Sequence, residues 1–381
     1  MKIRDPIYGD IEFTDEEEKL INSQAFKRLH DIKQLSFTHH IYPNAVHTRY
    51  AHSLGVCEAV TRMFDSIQSK TKFFRDGDRE LIRYIALCHD IGHAPFSHAG
   101  EALCDVSHEE LVGQILEYEK DNIVFKNNYG IESWDLINQT YNGEGDEFLS
   151  DPILSVLRSL MDGVIDADKL DYLYRDAYFC GVKYGEFDRD TLINSLTLIR
   201  NNGVMHIGIE HWGLQALESF ILARYYMFNQ VYHHPLHRLY DKLYVDEMRK
   251  NILKDGMLPT DDIKKYLTYN DSKVVNRLKF LKKCEWVLVY DADYDIDIRK
   301  AVDSKLGKFL VTDTPRKAVL QSETILVNNS DTGMVYSAYE LSPILKGLRG
   351  AEIYKLRYYA PVDIADKLRV EIQSIIKEVK K

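Results

Sequence analysis

The chain is poor in cysteine. Its 381 residues include five, at Cys57, Cys88, Cys104, Cys180 and Cys284, an odd and scattered set with no CxxC pair. That excludes a disulfide framework and reads as reduced, mostly buried thiols. Long apolar runs are missing too: none approaches the roughly 20 residues that a membrane span needs. The N-terminal MKIRDPIYGDIEF lacks the apolar core of a secretory signal. The expectation is a soluble, cytoplasmic protein with no membrane contact. Basic charge is in deficit, with a net charge of −10. Phosphate backbones want a basic surface, so nucleic acid is not expected as an obligate partner. A small polyphosphate is not excluded, because it responds to a local cluster of cations and not to net charge. Internal repeats and low-complexity tracts are absent.

What the chain does have is 45% hydrophobic content, enough to bury a large core, and a length that suggests about two or three units. The first fourteen residues suggest a β-hairpin around Tyr8-Gly9-Asp10. Thr14 with Glu17 gives a capping-box pattern at the start of a helix, and Ser23 offers a restart. Helical spacing follows over 48–69, 78–93, 107–120, 151–178 and 261–282, with two long stretches over 212–255 that meet near Pro235. NNYG and YNGEGDE make 121–150 a loop region around a short helix. HIGIE at 206–210 alternates as a strand. After Cys284 the character changes: WVLVYDADYDI, ETILVNN, MVYSAYEL and AEIYKLRYYA read as strands, and a helix over 364–380 closes the chain. The expected fold is mainly α, a helical core with a short N-terminal β-hairpin and a smaller C-terminal α+β lobe. The expected boundary divides 1–283 from 284–381, the second part serving packing, assembly or regulation.

Chemistry concentrates in ALCHDIGHAPFSHAGE, residues 86–101. His89 and His93 are four apart and share a helix face, Asp90 adjoins His89, and His98 and Glu101 follow the break at Pro95. His52 in RYAHSLGV and Asp168 in DADKLDYLYRD add one more imidazole and one more carboxylate. A lone histidine in a helix is usually a surface or hydrogen-bonded core residue, and His-Asp pairs arise by chance. The density is the stronger signal. Buried polar groups each need a partner, and a shared metal ion with its hydrogen-bonded surroundings supplies those partners together. A mixed imidazole and carboxylate set suits a borderline divalent ion such as Mn, Fe, Zn or Ni.

RYAHSLGV, then CHDIGHAPFSHAGE, then DADKLDYLYRD resembles, in order and character, the HD-domain phosphohydrolases. With DPIYGDIEF and FKRLHDIKQL at the front, the chain resembles more narrowly the deoxynucleoside triphosphate triphosphohydrolases, the SAMHD-type enzymes and bacterial dGTPases. The likeness runs from about residue 4 to at least 245. It implies an HD-domain core and hydrolysis of dNTPs to deoxynucleoside and inorganic triphosphate, with a metal-bound water attacking the α-phosphorus. It implies His52, His89, Asp90 and Asp168 as ligands of a divalent metal (Mn, Fe, Zn, Ni or Mg), His93 and His108 as phosphate-side catalytic histidines, and Glu101 as the carboxylate that orients His108. His98 matches a further histidine near the phosphates. A dimer or tetramer is also implied.

For the substrate, the resemblance implies Arg49, Lys169 and Arg224 on the phosphates, Gln34 and Asp176 on the sugar 3′-hydroxyl, Leu35 and Tyr232 where a 2′-hydroxyl would crowd, and Tyr172 beside the nucleotide. Read alone, Lys169, Asp171, Arg175 and Asp176 also fit a solvated helix face with i,i+3 and i,i+4 pairs. With 25 tyrosines in the chain, a tyrosine is more often packing than contact. Three departures stand out. Phe228 replaces a histidine that the family often has near the base. His30 replaces an arginine that reads an activating nucleotide in vertebrate-type members, and Asn22 and Lys27 stand at neighbouring activator positions. That activator site is therefore expected to be absent or altered. Two other functions remain: an HD phosphohydrolase acting on another nucleotide (a monophosphate, a cyclic or signalling nucleotide, or a modified one), and a non-catalytic nucleotide- or nucleic-acid-binding regulator.

Overall fold

The computed structural model describes residues 1–120, 151–283, 285–320 and 324–380; the loop region expected over 121–150 and Cys284 lie outside them. The chain opens with an antiparallel hairpin of Lys2–Asp5 and Gly9–Glu12. The Asp5 carboxylate organises its turn, accepting the backbone N–H groups of Ile7 and Tyr8 at 2.8 and 3.0 Å. Thr14 caps the helix Asp15–Ile21, with Glu17 completing the capping box, and Ser23 caps the next helix, Gln24–Arg28.

The long helix Arg49–Thr71 runs through the larger core and is buried from His52 to Cys57 without a break. A helix apolar on most sides is one surrounded by other elements. Asp78–Cys88 and Ala167–Cys180 pack along it. Behind them, Leu214–Met227 continues through a π-turn, Phe228–Tyr232, and Pro235 starts the helix Pro235–Glu247. Such π-turns are frequent at functional sites.

Four expected elements differ. The helix over 78–93 stops at Cys88, and tight turns follow. Phe96 and Ser97 there take φ of +59° and +56°, a region that side chains rarely adopt. Asp271 holds this turn: its Oδ1 accepts the Phe96 N–H at 2.7 Å and its Oδ2 accepts the Lys33 N–H at 3.0 Å. The helix over 151–178 is two, Pro152–Met161 and Ala167–Cys180, because Asp166 acts as a new N-cap for the Lys169 N–H. The helix over 261–282 reduces to Ile263–Tyr266 and Asp271–Val275, each restarted by its own cap, Asp262 and Asn270. The AYEL end of MVYSAYEL is a helical turn, Ala338–Leu341, begun by a Ser337–Glu340 capping box.

Among the described residues, two four-stranded sheets complete the fold. In one, Leu196–Asn201 and Val204–Glu210 form a hairpin, Leu326–Asn329 joins it in parallel with Val327 opposite Ile209, and Met334–Ser337 lies outermost. In the other, Glu352–Pro361 is central, flanked by Trp286–Asp293 on one side and by Val311–Asp313 and Arg316–Ala318 on the other. The helices Ile296–Leu306 and Ala365–Val379 pack on that second sheet and close a small core around Val302, Tyr358 and Ile372. Residues beyond 284 thus divide between two cores, since Ile325, Val327, Tyr339 and Leu345 belong to the larger one. The architecture is a helical core with an N-terminal hairpin and C-terminal sheets.

Candidate active site

The long helix delivers Arg49 and His52 to one point. The end of Asp78–Cys88 delivers His89 and Asp90, and the first turn of Ala167–Cys180 delivers Asp168. His52 Nε2 lies 3.0 Å from Asp168 Oδ1, 3.2 Å from His89 Nε2 and 3.6 Å from Asp90 Oδ2. His89 Nε2 lies 3.3 Å from Asp90 Oδ1 and 3.9 Å from Asp168 Oδ1. Ligand atoms of His52, His89 and Asp168 all fall within 4.8 Å of one another, a spacing that one metal ion can bridge.

The groups behind these side chains fix which nitrogen faces the cluster. His52 donates from Nδ1 to Asp171 at 2.7 Å, and His89 donates from Nδ1 to the Ala86 carbonyl at 2.7 Å. Each imidazole therefore presents Nε2 to the centre, which is how a metal-binding histidine is oriented. Asp171 is held in turn by two 2.8 Å bonds from Arg175, whose third bond, also 2.8 Å, goes to Asp5 of the N-terminal hairpin. Asp171 and Arg175 are fully buried and Asp176 nearly so, which overturns the solvated-face reading for these three. Gly55 makes room for the pair: a Cβ there would lie 2.0 Å from Asp171 Oδ1 and 2.2 Å from Arg175 Nη2.

Electrostatics follow from this packing. Burial opposes a charge on His52, yet Asp168 and Asp171 outweigh it and push the imidazole up to about 10. Burial also opposes ionisation of Asp90, but the Arg49 guanidinium, 2.7 Å from its Oδ2, holds it well below the usual carboxylate range. The cluster thus compensates a positive charge at its centre, and its donor set of two imidazoles and two carboxylates fits a divalent cation.

A second group adjoins the first. Glu101 Oε1 lies 2.8 Å from His108 Nδ1, 2.9 Å from His98 Nδ1 and 3.3 Å from His93 Nδ1. His93 and His108 stack at 4.0 Å. Gly92 permits the approach of the His108 backbone, since a Cβ there would lie 2.1 Å from the His108 carbonyl oxygen. Burial lowers the His108 pKa, but the hydrogen bond and charge of Glu101 win and raise it. Burial, with Arg49 and His108 nearby, holds His93 well below the ordinary imidazole value.

Arg49, His89, Asp90, His93, His98, His108 and Asp168 line a cavity of about 440 Å³. Gln34, Leu35, Lys169, Tyr172, Asp176 and Tyr232 also line it. The Gln34 Oε1 is buried with no hydrogen-bond partner. Asp176 is held by His47 and by the Tyr232 hydroxyl, each at 2.7 Å. Lys169 bonds back to Asp166 and to the Gly163 carbonyl. Arg224 stands behind the cavity wall, donating to the Val319 carbonyl at 2.7 Å with its guanidinium 5.6 Å from the Phe228 ring. His30 stacks on Tyr50 at 3.5 Å, away from this cavity.

Sequence reasoning missed Asp5, Gly55, His47 and Lys317. Lys317, in the strand Arg316–Ala318, reaches the cavity with its ammonium 4.8 Å from the Phe228 ring. Burial and the neighbouring Arg224 and Lys169 lower its pKa, against the smaller opposing pull of Asp168. No local motif marks Lys317; only the second sheet brings it in.

The comparisons agree with this geometry. A family described as HD domain matches residues 49–139, and one described as HD associated region matches residues 187–286. The chain belongs to the HD-domain family, among the members in which that domain is followed by the associated region. An uncharacterized protein of Methanocaldococcus jannaschii is 34% identical over 277 residues, which is 73% of this chain and 54% of that protein. A Dictyostelium discoideum protein named deoxynucleoside triphosphate triphosphohydrolase SAMHD1 homolog is 33% identical over 198 residues, 47% of this chain and 36% of that protein. The chain spans about half the length of the curated relatives it matches. The crystal structure of a hypothetical protein from Aquifex aeolicus matches with a TM-score of 0.83 at 29% identity, covering 98% of this chain and 99% of that one. Among the described residues no helix is long and apolar enough to cross a membrane.

Proposed function

We propose that this HD-domain hydrolase cuts deoxynucleoside triphosphates into deoxynucleoside and inorganic triphosphate. The observation that carries the reading is the juxtaposition, in one cavity, of a histidine–aspartate metal cluster, a Glu101–His108 pair and several cations. His52, His89, Asp90 and Asp168 would hold a divalent cation. When bound, it supplies an acidified water and polarises a phosphoryl oxygen. Arg49 is positioned by Asp90 and by Ser97 Oγ, 2.9 Å from its Nε, and turns a guanidinium fork towards the reacting phosphate. His108, whose proton the Glu101 carboxylate stabilises, donates a proton to the departing ester oxygen, while His93 stacks against it and orders the phosphates. Lys169, Lys317 and Arg224 balance the remaining phosphate charge.

The sugar end of the cavity supports a deoxyribose. Asp176 and Gln34 offer acceptors to a 3′-hydroxyl, and Leu35 with the Tyr232 ring leaves a 2′-hydroxyl no polar partner. Support also comes from the triphosphohydrolase named among the relatives. Self-association as a dimer or tetramer and a cytoplasmic setting belong to the same proposal.

A second reading keeps the chemistry and changes the nucleotide. It is favoured by Phe228, flanked by Arg224 and Lys317, which offers a base a stacking surface without a polar reader. A panel of dNTPs, rNTPs, monophosphates and cyclic nucleotides, with products resolved by chromatography, tests both. Release of inorganic triphosphate is expected from dNTPs; release of monophosphate or pyrophosphate refutes the first reading.

A further inference from the structure

His47 lies behind the cavity wall, where the two residues proposed for the sugar, Asp176 and Gln34, are both held. Its side chain is 1% exposed, and that of Asp176 is 2% exposed. Asp176 and Gln34 line the cavity, whereas His47 does not. A carboxylate only accepts, so His47 donates from Nε2 to Asp176 Oδ1 at 2.7 Å. Among the described residues its buried Nδ1 has no hydrogen-bond partner, so that bond is the ring's polar contact. The ring also stacks on Phe179, 4.6 Å away and 17° from parallel. The backbone of His47 has a second task. Its carbonyl accepts the Gln34 N–H at 3.0 Å, and the Ile32 carbonyl accepts the Arg49 N–H at 2.9 Å. Lys33 and Thr48 pair between them as an antiparallel bridge. This clip places Gln34, whose side-chain oxygen is buried and unpartnered among the described residues.

We propose that His47 is the positioning residue of the sugar end, the group that makes the enzyme select a nucleotide with a 3′-hydroxyl. The inference rests on the function proposed above. A carboxylate has about four lone-pair sites. His47 takes one on Oδ1, and the Tyr232 hydroxyl takes one on Oδ2 at 2.7 Å. The two donors come from different elements, His47 from the segment before the long helix and Tyr232 from the π-turn. The carboxylate therefore cannot turn about its Cβ–Cγ bond without losing one of them. A lone pair on each oxygen remains for a ligand hydroxyl. Hydrogen bonds to an ionised acceptor are the strong ones, and their contribution to selectivity depends on how firmly that acceptor is aimed. Without the imidazole donor, the Tyr232 bond is the hold that remains, and the 3′-hydroxyl meets an acceptor free to rotate. A side-chain change at His47 leaves the backbone clip in place, so its effect is confined to Asp176 and hence to the sugar.

Steady-state turnover of the dNTPs and of their 2′,3′-dideoxy counterparts by Mn²⁺-loaded protein tests the role. The ratio of the two kcat/KM values cancels the amount of folded enzyme, so a variant that folds in part still reports. Wild type is expected to favour the 3′-hydroxyl by roughly 10- to 100-fold, the range for a hydrogen bond to a charged group. His47→Phe keeps the ring and its stack on Phe179 but removes the donor, and is expected to lower that preference by roughly 10-fold. His47→Gln, whose side-chain amide can donate to Asp176 in place of the imidazole, is expected to recover most of it. Equal use of both sugars by wild type, a preference left intact in His47→Phe, or a lost preference that His47→Gln does not recover overturns the proposal. In each of those cases release of inorganic triphosphate still upholds the proposed reaction. Absence of turnover on every nucleotide refutes that reaction. The same ratio is then read from calorimetric dissociation constants of a dNTP and its dideoxy counterpart, and failure of both to bind overturns the role of His47 as well.

Discussion

Replacing Gly55 with alanine should destabilise the protein, against the rule for helices. In a helix interior the change normally gains about 1 kcal/mol, because glycine has the larger backbone entropy to lose. Here the added Cβ would sit 2.0 Å from Asp171 Oδ1 and 2.2 Å from Arg175 Nη2. Neither atom can retreat: both side chains are fully buried, and Arg175 is tied on its other edge to Asp5 at 2.8 Å. Breaking a buried ion pair costs about 3–5 kcal/mol, so the net loss is about 2–4 kcal/mol after the helix gain. Unfolding entropy of about 2.1 cal/mol/K per residue converts that loss to a fall of ~3–5 °C in thermal midpoint for a chain of this length. Metal affinity should fall with it, by roughly 10- to 100-fold, because Asp171 orients His52. Differential scanning calorimetry with and without Mn²⁺, and metal analysis after dialysis, read both quantities. A Gly55→Ala variant as stable as wild type, with its metal retained, would refute the argument that this helix is shaped around the Asp171–Arg175 pair.

Asp168→Ala or His89→Ala should remove bound metal, read by elemental analysis, and lower turnover to the limit of detection. Chelation of the native metal should lower the thermal midpoint, since a ligand at 100 times its Kd contributes about 2.7 kcal/mol that its removal takes away. Glu101 raises the His108 pKa, so Glu101→Gln should lower it. The protonated donor is then lost sooner as pH rises, and the alkaline limb of the pH–rate profile moves to lower pH; an unmoved limb contradicts the role of His108. Lys317→Ala should raise KM for a triphosphate several-fold with kcat little changed, measured by steady-state kinetics.

Local spacing marked His89, Asp90 and His93 as a dense titratable group, and the family resemblance added His52 and Asp168; the fold brings His52, His89 and Asp168 within reach of one ion. The capping box at Thr14 and the N-cap at Ser23 were legible because both are local signals. What sequence could not supply were long-range partners. Asp171 and Arg175, four apart, look like an ordinary surface ion pair; only their burial beneath Asp5 and Gly55 gives them a different task. Helix ends at Cys88 and Met161 were overrun because apolar periodicity continues past both, while the competing signals, Asp166 as a cap and Asp271 bracing the Phe96 turn, act through backbone N–H groups. Lys317 was invisible because its approach to Phe228 depends on the second sheet.

The parallel pairing of Leu326–Asn329 with Val204–Glu210 ties a late part of the chain into the sheet begun by the hairpin of Leu196–Asn201 and Val204–Glu210. A protein cut near residue 283 would therefore expose an apolar sheet edge and lose the ammonium group beside the cavity in one stroke. If the proposed function holds, selectivity for the nucleotide can be retuned from the last hundred residues while the helices carrying His52, His89 and Asp168 stay untouched, so chimaeras exchanging only that tail between relatives would alter substrate choice.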